Sequence, residues 1–320
     1  MSISADVLRA YRSIDEKTVD ELLAQEIKNN NKKIVVLDDD PTGVQTVHDI
    51  SVYTGWDADS LREAFAEENN LFYILTNSRG FTEEQTKAAH LEIADAVDRA
   101  AKEASRDYIF ISRSDSTLRG HYPLETRLLK ECYERNTGVK LDGEILCPFF
   151  KEGGRYTIGN VHYVKYGDEL VPAHETEFAK DKTFGYTAED LPAYVEEKTA
   201  GEYKAKDVIS ISLEDIRSMD FDKIKSQLMS AENFNKIIVN AIDYSDIKVF
   251  AVALFRAMNA GKMFMFRTAA ALVKVMGGVS DMPLLTRSDM IVNETENGGI
   301  IVVGSHTAKT TSQLECLKEI

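Results

Sequence analysis

The chain has 320 residues, enough for two domains that each bury a core of their own. With 43% hydrophobic, 28% charged and 9% aromatic residues, and only 6 Pro against 18 Gly, it excludes a disordered, fibrous or low-complexity protein. A formal charge of −15, from 38 Lys+Arg and 53 Asp+Glu with no basic patch to offset it, argues against nucleic acid or an anionic membrane as partner. Cys132, Cys147 and Cys316 form neither a CxxC pair nor a disulfide framework, which points to a reducing, cytoplasmic setting.

Met1 to Lys17 carries too many charges for a secretory signal and reads as a leading helix. The longest apolar run, Val249 to Phe255, is far short of the roughly 18 residues that mark a membrane span. Lys33 to Leu37 is the first clear strand, followed by a strand at Ile50 to Tyr53, a helix at Leu61 to Glu68 and a strand at Leu71 to Leu75. Thr82 and Gln85 form a capping box, and Ala89, Ile93, Ala96, Val97 and Ala100 recur at helical spacing to about Ala104. Tyr108 to Ile111 is the next strand. About 147 to 190 is irregular and reads as loops around a site. The rhythm resumes with a strand at Val208 to Ile211, one helix from Leu213 to Met229, a strand at Lys236 to Asn240, a helix from Ile247 through Met258 and a strand at Ile300 to Val303. Short strands alternating with helices predict an α/β fold, a parallel-sheet, Rossmann-like N-terminal domain followed by the beginning of a second α/β domain.

Ligands of such sheets collect at the carboxyl ends of the strands, where three polar segments fall: 38–43, 76–80 and 112–121. In Asp38-Asp39-Asp40-Pro41-Thr42-Gly43, three adjacent carboxylates repel one another and need a raised pKa, a cation or a strong hydrogen-bond partner; the plain alternative is a solvated turn. Asp38-x-Asp40-x-Thr42 also fits the nucleophile and acid spacing of haloacid-dehalogenase-type phosphatases, with Thr76-Asn77 similar to their second motif. Between Ser112 and His121, Arg113 and Arg119 suit a carboxylate or phosphate, Asp115 and the serines suit hydroxyls, and Gly120 admits a ligand to the backbone. A small polyhydroxylated acid meets all of these. His174-Glu175 is followed by Phe178 where the HExxH pattern needs a second histidine, and the six histidines show no ligand spacing. No metal site is assigned, and only His121 and His174 stay as site histidines. From Gly304 to Thr311 the Walker A spacing fails, yet a glycine turn before a helix start offers N–H groups to an anion.

Taken together, these motifs resemble the four-carbon acid sugar kinase family. The resemblance rests on Asp39-Asp40-x-Thr42-Gly43 with Gln45-Thr46-Val47-His48-Asp49, on Thr76-Asn77-Ser78-Arg79, and on Ser112-Arg113-x-Asp115-Ser116-Thr117-Leu118-Arg119-Gly120-His121. Glu152-x-Gly154-Arg155-Tyr156-Thr157, His174 to Phe178, Val239-Asn240-Ala241 and Phe266-Arg267-Thr268-Ala269 extend it over nearly the whole chain. It implies a sugar-acid-binding domain over 1–295 and the start of a nucleotide-binding domain over 296–320, which transfer phosphate from ATP, with Mg²⁺, to the terminal hydroxyl of threonate, erythronate or 3-oxo-tetronate. Asp39 or Asp40 is then the base. Thr42, Gly43, Asn77, Arg79, Ser112, Arg113, Asp115, Ser116, Arg119, His121, Arg155 and His174 would bind the acid, and Gly304, Ser305 and Thr307 the nucleotide. Asp38 sits where the family often has a small residue, which disfavours it as a phosphatase nucleophile. The alternatives are that phosphatase, using Asp38 and Asp40, and a non-catalytic sugar-acid-binding module. The chain stops about 20 residues into its second domain, so ATP binding and turnover are expected to be incomplete. The expected partner is the small acid, with room for a homodimer.

Overall fold

The computed structural model describes residues 1–291, 298–304 and 308–319. The chain divides into two compact units, Met1–Ser280 and Asp281–Ile320. The expected boundary at 295/296 lies outside the described residues.

In the first unit, β1 (Ile3–Ser4) and α1 (Glu16–Asn29) precede β2 (Lys33–Asp38), β3 (Val52–Tyr53), α2 (Ala58–Ala66), β4 (Leu71–Leu75), α3 (Glu83–Glu103), β5 (Tyr108–Arg113), α4 (Leu124–Thr137) and β6 (Gly143–Cys147). Then come β7 (Arg155–Ile158), β8 (Val161–Tyr166), β9 (Glu169–Pro172), α5 (Leu191–Lys198), β10 (Ile209–Ile211), α6 (Leu213–Arg217), α7 (Phe221–Met229), β11 (Asn235–Val239), α8 (Tyr244–Asn259), β12 (Phe264–Thr268) and α9 (Ala270–Met276). Eight strands form a parallel sheet in the order β10-β11-β6-β12-β5-β2-β4-β3. Every residue of β2, β5, β6 and β12 is buried, as helices on both faces require, and the apolar runs at Lys33 to Leu37 and Tyr108 to Ile111 reflect it.

Strand order decides where the site lies. From β2 the chain first builds outward through β3 and β4, then returns to the other side of β2 with β5, so the direction of winding switches there. The carboxyl ends of β4, β2 and β5 are therefore neighbours, and the three polar segments meet. Last in sequence, β12 inserts between β5 and β6 and brings a fourth strand end beside them.

Several expectations need correction. The leading helix is a single 3-10 turn at Ala5–Arg9, with the first α-helix beginning only at Glu16 under an Asp15 cap. One helix from Leu213 to Met229 is in fact two, because Met219 takes a left-handed φ of 57° and Asp220 starts a new cap. The region read as loops folds into a four-stranded antiparallel sheet, β1-β9-β8-β7. Its short strands and turn residues hid it. That sheet is tied to the end of β11, where Thr157 and Ala241 exchange backbone bonds of 2.9 and 3.1 Å and Asn160 and Asn240 bond reciprocally at 2.7 and 2.9 Å.

In the second unit, short α10 (Arg287–Met290) and α11 (Ala308–Lys318) are the described helices. The strand expected at Ile300 to Val303 does not form among the described residues, where that run is irregular and exposed. A β-branched run becomes a strand only where a neighbour supplies the ladder.

Because β12 fills the centre of the sheet, ending the chain at residue 260 is expected to abolish cooperative unfolding. Ending it at Ser280 should keep the first unit's melting temperature within about 2 °C, less than a 1 kcal/mol change produces. Scanning calorimetry of the two truncations checks this.

Candidate functional site

Asp38 is the last residue of β2, and Asp39 and Asp40 lead the chain off its end. Asp38 and Asp39 are buried and Asp40 is partly so. Three such carboxylates persist together because guanidinium groups arrive from both flanking strands. From the turn after β4, Arg79 grips Asp39 through two bonds of 2.7 and 3.1 Å and also pairs with Asp40. From the end of β5, Arg113 pairs with Asp38, lies 3.5 Å from Asp39, and donates to the Asp40 carboxylate at 3.2 Å and its carbonyl at 2.7 Å. Burial pushes the Asp39 carboxyl up to about 7, although Arg79 pulls against it. Thr42 caps Asp40 through its backbone N–H at 2.8 Å and its hydroxyl. Gly43 is obligatory, since a Cβ there would collide with Arg113 and Asp38.

A second cluster lies on the β5–α4 segment. Asp115 accepts from Arg119 Nε at 2.7 Å and from the Thr117 hydroxyl. Burial alone would raise this carboxyl, but Arg79 and Arg119 hold it down at about 2. Arg119 and Arg155, the latter at the start of β7, face the Phe178 ring at 5.1 and 5.4 Å from its centroid. Two guanidinium groups thus lie against one aromatic ring, and one of them, Arg119, holds Asp115. Ser112 and Arg113 belong to β5 rather than to the loop after it. The Ser112 hydroxyl accepts from Arg267 at 3.3 Å. Ser116 is set by its carbonyl, which accepts from His162 Nε2 at 2.7 Å.

Not every expected residue joins the site. His121 is a clasp: Nε2 donates to the Phe81 carbonyl at 3.0 Å, and the ring stands edge-on to Phe184 at 4.9 Å. Asn77 is exposed with φ 55° and starts the turn Ser78–Gly80 that carries Arg79. His174 lies after β9, 3.8 Å from Glu175, in a crevice with Leu118, His162 and Tyr186. Gly304 lies in irregular chain, and among the described residues a Cβ there would meet no atom within 4 Å. Ser305 and Thr307 lie outside the described residues.

Sequence reading missed Arg267 and Glu125 as site residues. Arg267, next to last in β12, is fully buried and pairs with Glu125 in the first turn of α4. Glu125 in turn accepts from the Ser78 hydroxyl at 2.7 Å and lies 3.8 Å from His90. An arginine inside an apolar strand was the available signal. A cation is also considered: carboxylate oxygens of Asp38, Asp39 and Asp40 lie within 4.8 Å of one another. Arg79 and Arg113 already occupy all three, so the set does not fit a divalent ion.

Residues 34–276 match the family of sugar-binding N-terminal domains. The chain belongs to that family, the sugar-binding domain of four-carbon acid sugar kinases. No curated protein matches it. Among solved structures it is similar to a domain of unknown function, DUF1537, from Bordetella bronchiseptica, determined with bound citrate as a domain-swapped dimer. That likeness has 18% identity and a TM-score of 0.54, covering 76% of this chain and 55% of that one. A Haemophilus influenzae protein of DUF1537 matches at 18% identity and a TM-score of 0.49, covering 89% of this chain and 65% of that one. The chain therefore spans little more than half the length of the first and just under two thirds of the second. The Bordetella likeness supports the parallel α/β fold. No helix among the described residues of this sugar-binding domain is long and apolar enough to cross a membrane.

The raised Asp39 makes a test of the site. Its folded-state carboxyl at about 7 lies above the ordinary value near 4, so the folded protein keeps a proton that the unfolded chain releases in that window. The resulting contribution to stability is lost as pH rises through the window. Asp39→Asn leaves Arg79 on Asp40, and is expected to raise the melting temperature by several degrees at pH 8 and by less at pH 5. Equal shifts at both pH values, measured by thermal denaturation, would remove Asp39 as a strained position.

Proposed function

We propose that this domain binds a four-carbon sugar acid and presents its terminal hydroxyl for phosphorylation, as the acceptor half of an ATP-dependent kinase. The observation that carries the reading is the division of charge at the strand ends. Arg119, paired with Asp115, and Arg155 lie against the same Phe178 ring, which gathers guanidinium charge for a substrate carboxylate. Three carboxylates, Asp38, Asp39 and Asp40, pair with two guanidinium groups, Arg79 and Arg113, an excess of carboxylate for a hydroxyl. A small hydroxy acid bridges the two. Of the two candidate bases, Asp39 is suited to take the hydroxyl proton, because a carboxyl at about 7 accepts protons better than an ordinary one near neutral pH. Asp40, capped by Thr42, is suited to hold Arg79 and the turn. Ser112, Asp115 and Ser116 would receive the remaining hydroxyls. Citrate in the Bordetella protein, a small hydroxy acid, agrees with this class of ligand.

In this reading residues 1–295 bind the acid, 296–320 begin the nucleotide side, and ATP with Mg²⁺ on its phosphates is the phosphoryl donor. The alternative, a phosphatase using Asp38 and Asp40, would need Asp38 freed from its pair with Arg113. Incubation with ATP, Mg²⁺ and a panel of four-carbon acids separates the readings: ADP formation supports the kinase, and acid binding without turnover a binding module. Release of phosphate from sugar phosphates would support the phosphatase instead.

Arg119→Ala is expected to weaken a four-carbon acid about 10- to 100-fold, the worth of one charged hydrogen bond, and to leave the matching uncharged polyol nearly unaffected. Titration calorimetry with erythronate and erythritol checks this, and equal losses would make Arg119 structural.

A further inference from the structure

We propose that Arg267, held by Glu125, is a positioning residue of the acid site, setting the Arg119–Gly120 backbone and the Ser112 hydroxyl against Asp39. The part of this that concerns ligand affinity rests on the sugar-acid reading above. The geometry is independent of it.

Arg267 serves several elements at once. Its Nη1 donates to Glu125 on α4 and to Ser112 Oγ on β5 at 3.3 Å, and its Nη2 donates to the Arg119 carbonyl at 3.2 Å. Its guanidinium also lies 5.6 Å from the Tyr122 ring centroid. Acceptors on three segments of chain call for a planar fork, which a lysine does not have. Gly120 shows how tightly the turn is pressed: its φ is 118°, and a Cβ would sit 2.6 Å from Arg267 Nη2 and 3.2 Å from Asp39 Oδ2. Arg267 and Asp39 therefore both crowd the space at Gly120 where a side chain would stand, just behind Arg119. Glu125 extends the connection to the turn after β4 and to α3, through Ser78 at 2.7 Å and His90 at 3.8 Å.

A buried ion pair is a poor way to gain stability alone, since well-packed apolar residues of similar volume often serve as well or better. This pair lies among site residues, and it acts on Asp39 by charge. The groups facing Asp39 are Arg79 from the turn after β4, Arg113 from β5, Arg267 from β12 and Glu125 from α4, with Asp38 and Asp40 on either side in the chain. Arg267 lowers the Asp39 carboxyl and Glu125 raises it.

Three variants test this in the full chain: Arg267→Lys, Glu125→Gln, and the double variant Arg267→Met with Glu125→Gln, which leaves no unpaired buried charge. Near-ultraviolet circular dichroism reports folding, carbon-detected NMR follows Asp39, and calorimetry reads D-erythronate and D-threonate affinity. Arg267→Lys, with the charge but not the fork, is expected to fold and to lose about 10- to 100-fold in affinity for the acid the wild type binds. Glu125→Gln is expected to lower the Asp39 midpoint by about half a unit or more. A folded double variant with wild-type affinity and an unchanged Asp39 midpoint would make the pair purely structural and overturn the proposal; if it does not fold, wild-type affinity in Arg267→Lys together with an unchanged midpoint in Glu125→Gln overturns it. A wild type that binds neither acid would defeat the sugar-acid reading instead, and the Asp39 midpoint in Glu125→Gln then decides the positioning role: a shift supports it, an unchanged midpoint overturns it.

Discussion

Three consecutive carboxylates at the buried end of a central strand can exist only if positive charge comes from the strands on either side. Unpaired, each ionised group in such a place costs several kcal/mol, so the aspartates would protonate or the turn would move into solvent. Arg113 from β5 and Arg79 from the β4 end meet that demand, and the adjacency of β4, β2 and β5 is what lets them. Much else around the site follows. At Gly43 a side chain would run into Arg113 and Asp38, and at Gly120, which has a φ of 118°, one would run into Arg267 and Asp39.

The compensation is incomplete in a useful way. Asp39 remains too buried for its ordinary ionisation, while Asp115, between Arg79 and Arg119, is fully ionised. Two carboxylates on neighbouring strand ends are thus driven in opposite directions by burial and by charge. One is suited to exchange a proton near neutrality, the other to hold arginines in place. The same end of the sheet thereby carries one carboxylate held protonated toward neutrality and one held ionised.

The antiparallel sheet completes this arrangement from outside the main sheet. His162 on β8 donates from Nε2 to the Ser116 carbonyl at 2.7 Å and accepts at Nδ1 from the Thr157 hydroxyl at 2.9 Å, and burial pushes its pKa down to about 4, so it stays neutral while it does so. Arg155, at the start of β7 in the same sheet, lies against the Phe178 ring that Arg119 also faces. The antiparallel sheet thus places one of the motif arginines beside the strand ends.

The sequence by itself determined the α/β class, the position of the polar strand ends and most of the residues found there. Those signals are local: a β-branched run such as Lys33 to Leu37 needs two buried faces, the Thr82–Gln85 box must cap a helix, and adjacent aspartates demand partners. Only the tertiary structure decided which partners they have. The insertion of β12 beside β5, the crowding of Gly120 by Arg267, the reach of Glu125 to Ser78 and the two arginines against Phe178 all join residues distant in the chain. The extended pairing expected at Ile300 to Val303 likewise depends on a neighbouring strand that no local pattern can supply. Charge and periodicity along a chain say what each segment needs; only the order of strands in space says which segment provides it.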